Sequence, residues 1–300
     1  MRRGFHTNAF VWSGVNDLRS IVDFAVEAGF TCLEVGPGIP LDRNLFLEQG
    51  RRIPYSAFIY CRNFLDDDEM AARKEQEELW RRMDFASAVG AKKMVCSTGI
   101  SKRLSLPDDN GCNPVASEQK VIDFLGKAVE HAKEDDLTLC LENCPMFRNI
   151  ATSPYMWRRI FTAISDAHLA LCYDPGHFVW QFIDVYEPMK EFASRIAHVH
   201  LKDTKIDDAK LRDVGILHNT ARERGFEANQ WWRHTILGDG DIDWARFLDL
   251  LLEEPNPLLD VSFEMEDYRY EGDPSKVKQA FMVQSLRLDS LLQTRKEGKK

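Results

Sequence analysis

Four short apolar runs in this chain each close on a side chain that can bind a metal ion: Leu137–Glu142 followed by Asn143, Leu169–Asp174, Ile196–His200 and Val261–Glu264. Side chains alternate faces along an extended chain. Thr138, Cys140 and Glu142 therefore share a face, as do Ala170, Cys172 and Asp174, His198 and His200, and Ser262 and Glu264. The opposite faces are large and aliphatic. Laid parallel and side by side, the four runs bring Glu142, Asp174, His200 and Glu264 to one point at their C-terminal ends. Three carboxylates and an imidazole suit a divalent cation, with Mn2+ the leading candidate and Mg2+, Co2+ or Zn2+ as alternatives. Glu266 also points inward and rivals Glu264 as the fourth ligand. His198, one layer deeper, reads as a supporting histidine. Lys202 extends the inward row past His200; it could steady an enolate oxygen or a phosphate, or pair at the surface with Asp203.

Parallel strands with convergent ends need a helix between each pair, and the chain supplies them. Strand-like segments at Gly4–Ala9, Phe30–Val35, Tyr55–Cys61 and Met94–Thr98 precede the four ligand-bearing runs. A helix capped at Asn16 carries Leu18, Ile21, Val22, Ala25 and Val26 on one stripe and stops at Gly29. The charged stretch from Asp66 to Arg82 carries Leu79, Met83 and Ala86 on one side, which makes it the solvated face of an ordinary helix. Further helices are expected near residues 41–49, 115–134, 155–165, 182–194 and 243–253, with an amphipathic last helix carrying Val277, Phe281, Leu288 and Leu292. Eight strands alternating with helices, without a composition break, predict a single (β/α)8 TIM barrel over residues 1–294 and a frayed basic tail over 295–300. A doubly wound open sheet is the competitor, but no GxGxxG follows the first strand. The segment from Thr204 to Gly240 is long for a connection and holds Trp231, Trp232 and His218. It reads as a lid after the seventh strand, closing on a sugar or packing on a partner subunit of a homo-oligomer. A ring stacking on Trp231 or Trp232 competes with plain core packing of one of them.

The composition excludes several classes. With 44% hydrophobic and 29% charged residues in 300, the chain is globular; its net charge of −9 argues against nucleic acid, and no apolar run is long enough to cross a membrane. The N-terminus shows no apolar signal region, and the seven cysteines include no CxxC pair, which fits reduced thiols in a cytoplasmic protein. Cys144, just past Glu142, is a possible reactive thiol.

Leu-Glu-Asn (141–143), Asp-Pro-Gly-His (174–177), His-Val-His-Leu-Lys-Asp (198–203), Gly-Asp-Ile-Asp-Trp (240–244) and Ser-Phe-Glu-Met-Glu-Asp (262–267), in this order, resemble the xylose-isomerase-like superfamily of barrels, the sugar phosphate isomerases/epimerases. The resemblance runs from Gly4 to about Leu292. It implies that Glu142, Asp174, His200 and Glu264 hold the metal and that His177 faces the substrate. It also implies that Glu142 and Glu264 exchange a proton with opposite faces of a sugar through an enediolate, as in a sugar, polyol or keto-sugar isomerase or epimerase. One departure bears on the substrate. Ketose epimerases of the superfamily usually carry an Arg shortly before a Pro-Gly-x-Gly turn, whereas here His234, with Arg233 and Trp232 beside it, precedes Leu237-Gly238-Asp239-Gly240. That leaves room for a lyase, a dehydratase or deglycosidase of an oxidised sugar. The endonuclease IV branch would need further histidines from Tyr55–Cys61 and Met94–Thr98, which offer none. A barrel that only binds sugar would not need both glutamates.

Overall fold

The computed structural model describes residues 1–99, 114–145, 149–216, 231–253 and 256–298. Ten strands follow the chain: β1 Arg2–Phe5, β2 Leu33–Val35, β3 Tyr55–Tyr60, β4 Lys93–Cys96, β5 Thr138–Glu142, β6 Leu169–Tyr173, β7 Ile196–Leu201, β8 Asp203–Ile206, β9 Trp232–Thr235 and β10 Asp260–Phe263. Eight of them form one parallel sheet in the order β1-β10-β7-β6-β5-β4-β3-β2. The sheet closes where β1 meets β2: Thr31 N donates to Arg3 O at 2.9 Å, Thr7 N to Glu34 O at 3.0 Å, and His6 bridges Glu34. Closure depends on Gly4, because a Cβ there would lie 2.4 Å from the Cys32 carbonyl oxygen. The expected (β/α)8 barrel with a C-terminal helix is the observed fold.

Strand alternation builds the barrel interior in layers. At the bottom, Lys93 Nζ bonds Asp260 Oδ2 at 2.6 Å, and Arg2 bonds both Asp260 oxygens at 2.7–2.8 Å. Above lie small apolar side chains, among them Ala57, Val95, Cys140, Ala170 and Cys172. The top layer is polar. The other strand faces are covered by helices, with Phe5, Met94, Leu141, Tyr173, Val199 and Phe263 in the large core between them.

Several boundaries differ from expectation, each for a local reason. Asp17, not Asn16, caps the helix Leu18–Glu27; its carboxylate accepts from the Arg19 and Ser20 amides, and Val26 turns outward. Gly29 stops that helix at φ +76°. The first strand ends at Phe5, because residues 8–12 turn into a short helix. The continuous helix expected over 182–194 is broken into Gly176–Val179, Glu187–Glu191 and a 3-10 turn at Ala193–Arg195; Phe182 has φ +56°, which a helix interior does not accept. The last helix runs from Pro274 to Gly298, and Arg295 Nε bonds Asp249 at 2.8 Å. The Thr204–Gly240 segment holds a feature that pattern reading did not find. β8 and β9 form an antiparallel ribbon with Thr204 opposite His234 and Ile206 opposite Trp232, and a helix, Asp208–Val214, follows β8. His218 and the loop from Ile100 lie outside the described residues, and no described helix is long and apolar enough to cross a membrane.

Candidate metal centre

Glu142 and Asp174 end neighbouring strands, and their backbones are locked in register. Asn143 Nδ2 donates to Asp174 O and the Asp174 amide donates to Asn143 Oδ1, both at 2.8 Å. Gly176 N donates to Asp174 Oδ1 at 2.8 Å, which leaves Oδ2 aimed at the barrel axis. His200 comes from β7 and Glu264 from the end of β10. One ligand atom from each of Glu142, Asp174, His200 and Glu264 lies within 4.8 Å of the others. His200 Nδ1 stands 3.0 Å from Glu142 Oε1, 3.1 Å from Glu264 Oε2 and 3.9 Å from Asp174 Oδ2. All four side chains are buried. The quartet expected from sequence is brought together.

The orientation of His200 is set from behind. Glu34, fully buried at the end of β2, takes His200 Nε2 on Oε1 and His198 Nε2 on Oε2, each at 3.1 Å. A carboxylate held below its usual range can only accept, so both Nε2 atoms donate to Glu34 and His200 turns its Nδ1 toward the quartet. Burial would push Glu34 up, but His200 and His198 hold it well below the carboxylate range. His6, just past β1, stacks its ring parallel to His200 with centroids 6.1 Å apart and places Nδ1 3.5 Å from Glu264 Oε1. Cys61 Sγ lies 3.4 Å from Glu142 Oε2. Glu34 and His6 were missed as site residues, although each closes an apolar run as the four ligands do.

Lys202 is no surface lysine. Its Nζ lies 2.9 Å from Asp174 Oδ2, 2.8 Å from Glu264 Oε2, 3.0 Å from Glu266 Oε2 and 3.0 Å from His177 Nε2. The proposed pairing with Asp203 is overturned. Asp203 instead accepts the amides of Thr204, Gly238, Gly240 and Ile242 and the Trp244 indole, at 2.8–3.3 Å. That carboxylate shapes the whole 238–244 turn, and Gly240 is required there, since a Cβ would meet Asp203 Oδ1 at 2.0 Å. Glu264 and Glu266 divide around Lys202. Burial pushes Glu264 up, but Lys202 and His200 outweigh it and hold Glu264 well below the usual range. Glu266, pushed up by burial and by the neighbouring Glu264 despite Lys202, is raised. Burial likewise raises Asp174, to about 8.

The mouth is formed by the ribbon. Thr204 Oγ1 donates to Gly176 O and so receives His234 Nδ1–H at 2.8 Å, which leaves the His234 Nε2 lone pair 3.9 Å from Glu266 Oε2. His177 and His234 meet edge to face at 5.1 Å, and burial keeps both neutral. Trp232 is buried, stacked on Trp180 at 4.5 Å, and Trp231 stacks on Phe182 at 5.7 Å; the two tryptophans pack against the protein's own rings. Arg233 falls on the ribbon face opposite His234 and Trp232. Cys144 is buried among carboxylates, and burial above all pushes its thiol well up, which makes it a poor nucleophile.

Buried carboxylates outnumber the cationic groups among them, and Asp174 Oδ2 accepts no aligned hydrogen bond among the described residues. Three hard oxygen donors and one nitrogen fit a divalent cation at the quartet.

Comparison with known proteins bears on the fold and the family. The inosose dehydratase of Klebsiella pneumoniae is 26% identical over 250 residues, covering 79% of this chain and 78% of that protein. That of Clostridium perfringens is 28% identical over 253 residues with the same coverage. Among solved structures, L-ribulose 3-epimerase superposes with a TM-score of 0.74 at 18% identity, covering 99% of this chain and 97% of the other. The IOLI protein, solved with a zinc atom, superposes with a TM-score of 0.73 at 15% identity, covering 98% and 99%. The profile of the xylose isomerase-like TIM barrel matches residues 22–285, and the chain belongs to that family.

Proposed function

We propose that this chain is a divalent-metal-dependent enzyme that removes the proton beside the carbonyl of a keto-polyol or keto-sugar and then expels the β-hydroxyl as water. The observation that carries this reading is the convergence of Glu142, Asp174, His200 and Glu264 under a lysine that also holds Glu266. When bound, the cation acts as a Lewis acid on the carbonyl and acidifies the adjacent C–H. Glu264, kept ionised, takes that proton, and the C–H electron pair becomes the new C=C bond as the C–O bond breaks. Glu266 is displaced in the opposite direction and gives its proton to the departing hydroxyl. Two carboxylates pushed apart by their surroundings are the usual division into base and acid. Lys202 fixes both, while His177 and His234 orient hydroxyls. The similarity to inosose dehydratases and the histidine in place of an epimerase-like Arg support dehydration. The approach of both Glu142 and Glu264 to His200 Nδ1, at 3.0 and 3.1 Å, supports a second reading, epimerisation through an enediolate.

Inososes, 3-keto sugars and free ketoses incubated with the Mn2+-loaded protein in D2O separate the two by mass. A product lighter by one water supports the dehydratase; equal mass with solvent deuterium at carbon supports the epimerase. Neither outcome with any of these substrates would sink the proposal. Glu264→Gln should lower turnover by roughly 10^2–10^4-fold. Glu266→Gln should block water loss while α-deuterium exchange persists.

A further inference from the structure

We propose that His6 is a positioning residue for the base: its Nδ1–H aims Oε1 of Glu264, the oxygen not taken by Lys202 and His200, at the substrate C–H. The inference deepens the reading of Glu264 as base and rests on it. Strand register puts the two residues side by side. β1 and β10 pair with Phe5 opposite Phe263, and the His6 amide donates to Phe263 O at 3.0 Å, so the next residue on each strand meets the other at the barrel mouth. Lys202 Nζ and His200 Nδ1 both stand on Glu264 Oε2, at 2.8 and 3.1 Å, whereas His6 Nδ1 stands 3.5 Å from Oε1. The two oxygens of one carboxylate thus have different neighbours. Beside an ionised carboxylate, which only accepts, the facing ring nitrogen is the one that carries hydrogen.

Packing alone does not explain a histidine here. The residue is 2% exposed, and neither ring nitrogen makes a hydrogen bond among the described residues. A phenylalanine would fill the space without burying polar atoms that lack partners. The ring is nonetheless closely seated. It lies parallel to His200, and the chain passes against it at Gly36, where a Cβ would come within 3.0 Å of His6 Nε2 and 1.9 Å of Asn8 Oδ1. Thr7 Oγ1 accepts the Gly36 amide at 2.8 Å and the Thr7 amide donates to Glu34 O at 3.0 Å, so the segment carrying His6 is tied to β2 as well as to β10. A donor so seated, at 3.5 Å and short of a full hydrogen bond, orients Oε1 without tying up the lone pair that takes the proton. In that transfer O–H forms on Glu264 as C–H breaks, the electron pair stays on the substrate, and His6 keeps its own proton.

Two substitutions in the Mn2+-loaded full chain test the role, assayed in D2O with the inosose, 3-keto sugar or free ketose that the wild type turns over. His6→Phe keeps a ring and loses the N–H; His6→Asn loses the ring and restores an N–H near the position of Nδ1. His6→Phe should lower kcat for α-deuterium exchange about 10–100-fold with KM little changed, and His6→Asn should recover most of the loss. A ring that merely packs predicts the reverse order, with His6→Phe near wild type and His6→Asn impaired, and that order overturns the proposal. Equal losses in both variants overturn it as well. Mn2+ affinity, measured by isothermal titration, should be the same in wild type and His6→Phe; a fall in affinity that matches the fall in activity would make His6 a support of the cation site and overturn its role toward Oε1. Glu264→Gln separates this inference from the reading beneath it. Exchange that persists in Glu264→Gln, or no turnover of any of the three substrate classes by wild type, refutes both, whereas an inactive Glu264→Gln beside a fully active His6→Phe refutes the role of His6 alone.

Discussion

Replacing Glu34 separates a residue that orients a metal ligand from one that merely fills the barrel. Its two oxygens accept one Nε2–H each from His198 and His200 at 3.1 Å, and nothing else in the described structure sets which His200 nitrogen faces the quartet. Glutamine offers one acceptor and one donor in the same volume, so one histidine must change tautomer. His198 can do so, because its Nδ1 has no hydrogen-bond partner among the described residues. Glu34→Gln should therefore weaken Mn2+ binding at the low end of the range for such supporting groups, about tenfold or about 1.4 kcal/mol. Glu34→Leu satisfies neither histidine and should reach about 100-fold. The leucine variant should also be less stable without metal by about 3–5 kcal/mol, because a buried charge partner is gone. Isothermal titration with Mn2+ and urea unfolding of the metal-free proteins measure the two effects. Both variants binding Mn2+ within twofold of wild type would refute the reasoning.

Proton linkage gives a second expectation. In the metal-free protein Asp174 is raised to about 8 by burial. His200 is also raised: burial opposes its charge, but Cys172 and the surrounding carboxylates more than reverse this. Both folded values lie above the unfolded ones, so the stability they contribute is complete at low pH and lost as pH rises, for Asp174 between about 4 and about 8. The metal competes with these protons, and the rise in melting temperature on adding Mn2+ should therefore grow across that window, whereas a shift that shrinks would contradict it. For Asp203, which gathers four amides and an indole, Asp203→Ala should cost about 3 kcal/mol or more by urea unfolding, and a loss under about 1 kcal/mol would show that the 238–244 turn holds itself.

The barrel and its quartet were legible because strand alternation ties a terminal polar side chain to the small interior residues two and four positions before it. The same rule applied to Phe5-His6 and Leu33-Glu34 finds two more members of the site; only the absence of a recognisable motif on β1 and β2 hid them. Asp203 was misread because its partners are backbone amides some 35 residues away, which carry no side-chain signature. The β8–β9 ribbon was equally hidden, since Asp203–Ile206 and Trp232–Thr235 lack the apolar run of a barrel strand and are defined by pairing alone. The broken helix after β6 turned on one positive φ at Phe182, where the sequence has no glycine to announce it.

Anomalous X-ray scattering from crystals grown with Mn2+ measures the central claim most directly. One peak should sit among Glu142, Asp174, His200 Nδ1 and Glu264, at about 2.0–2.3 Å from a donor atom of each. A peak elsewhere in the barrel, or none while the protein turns over substrate, would contradict it.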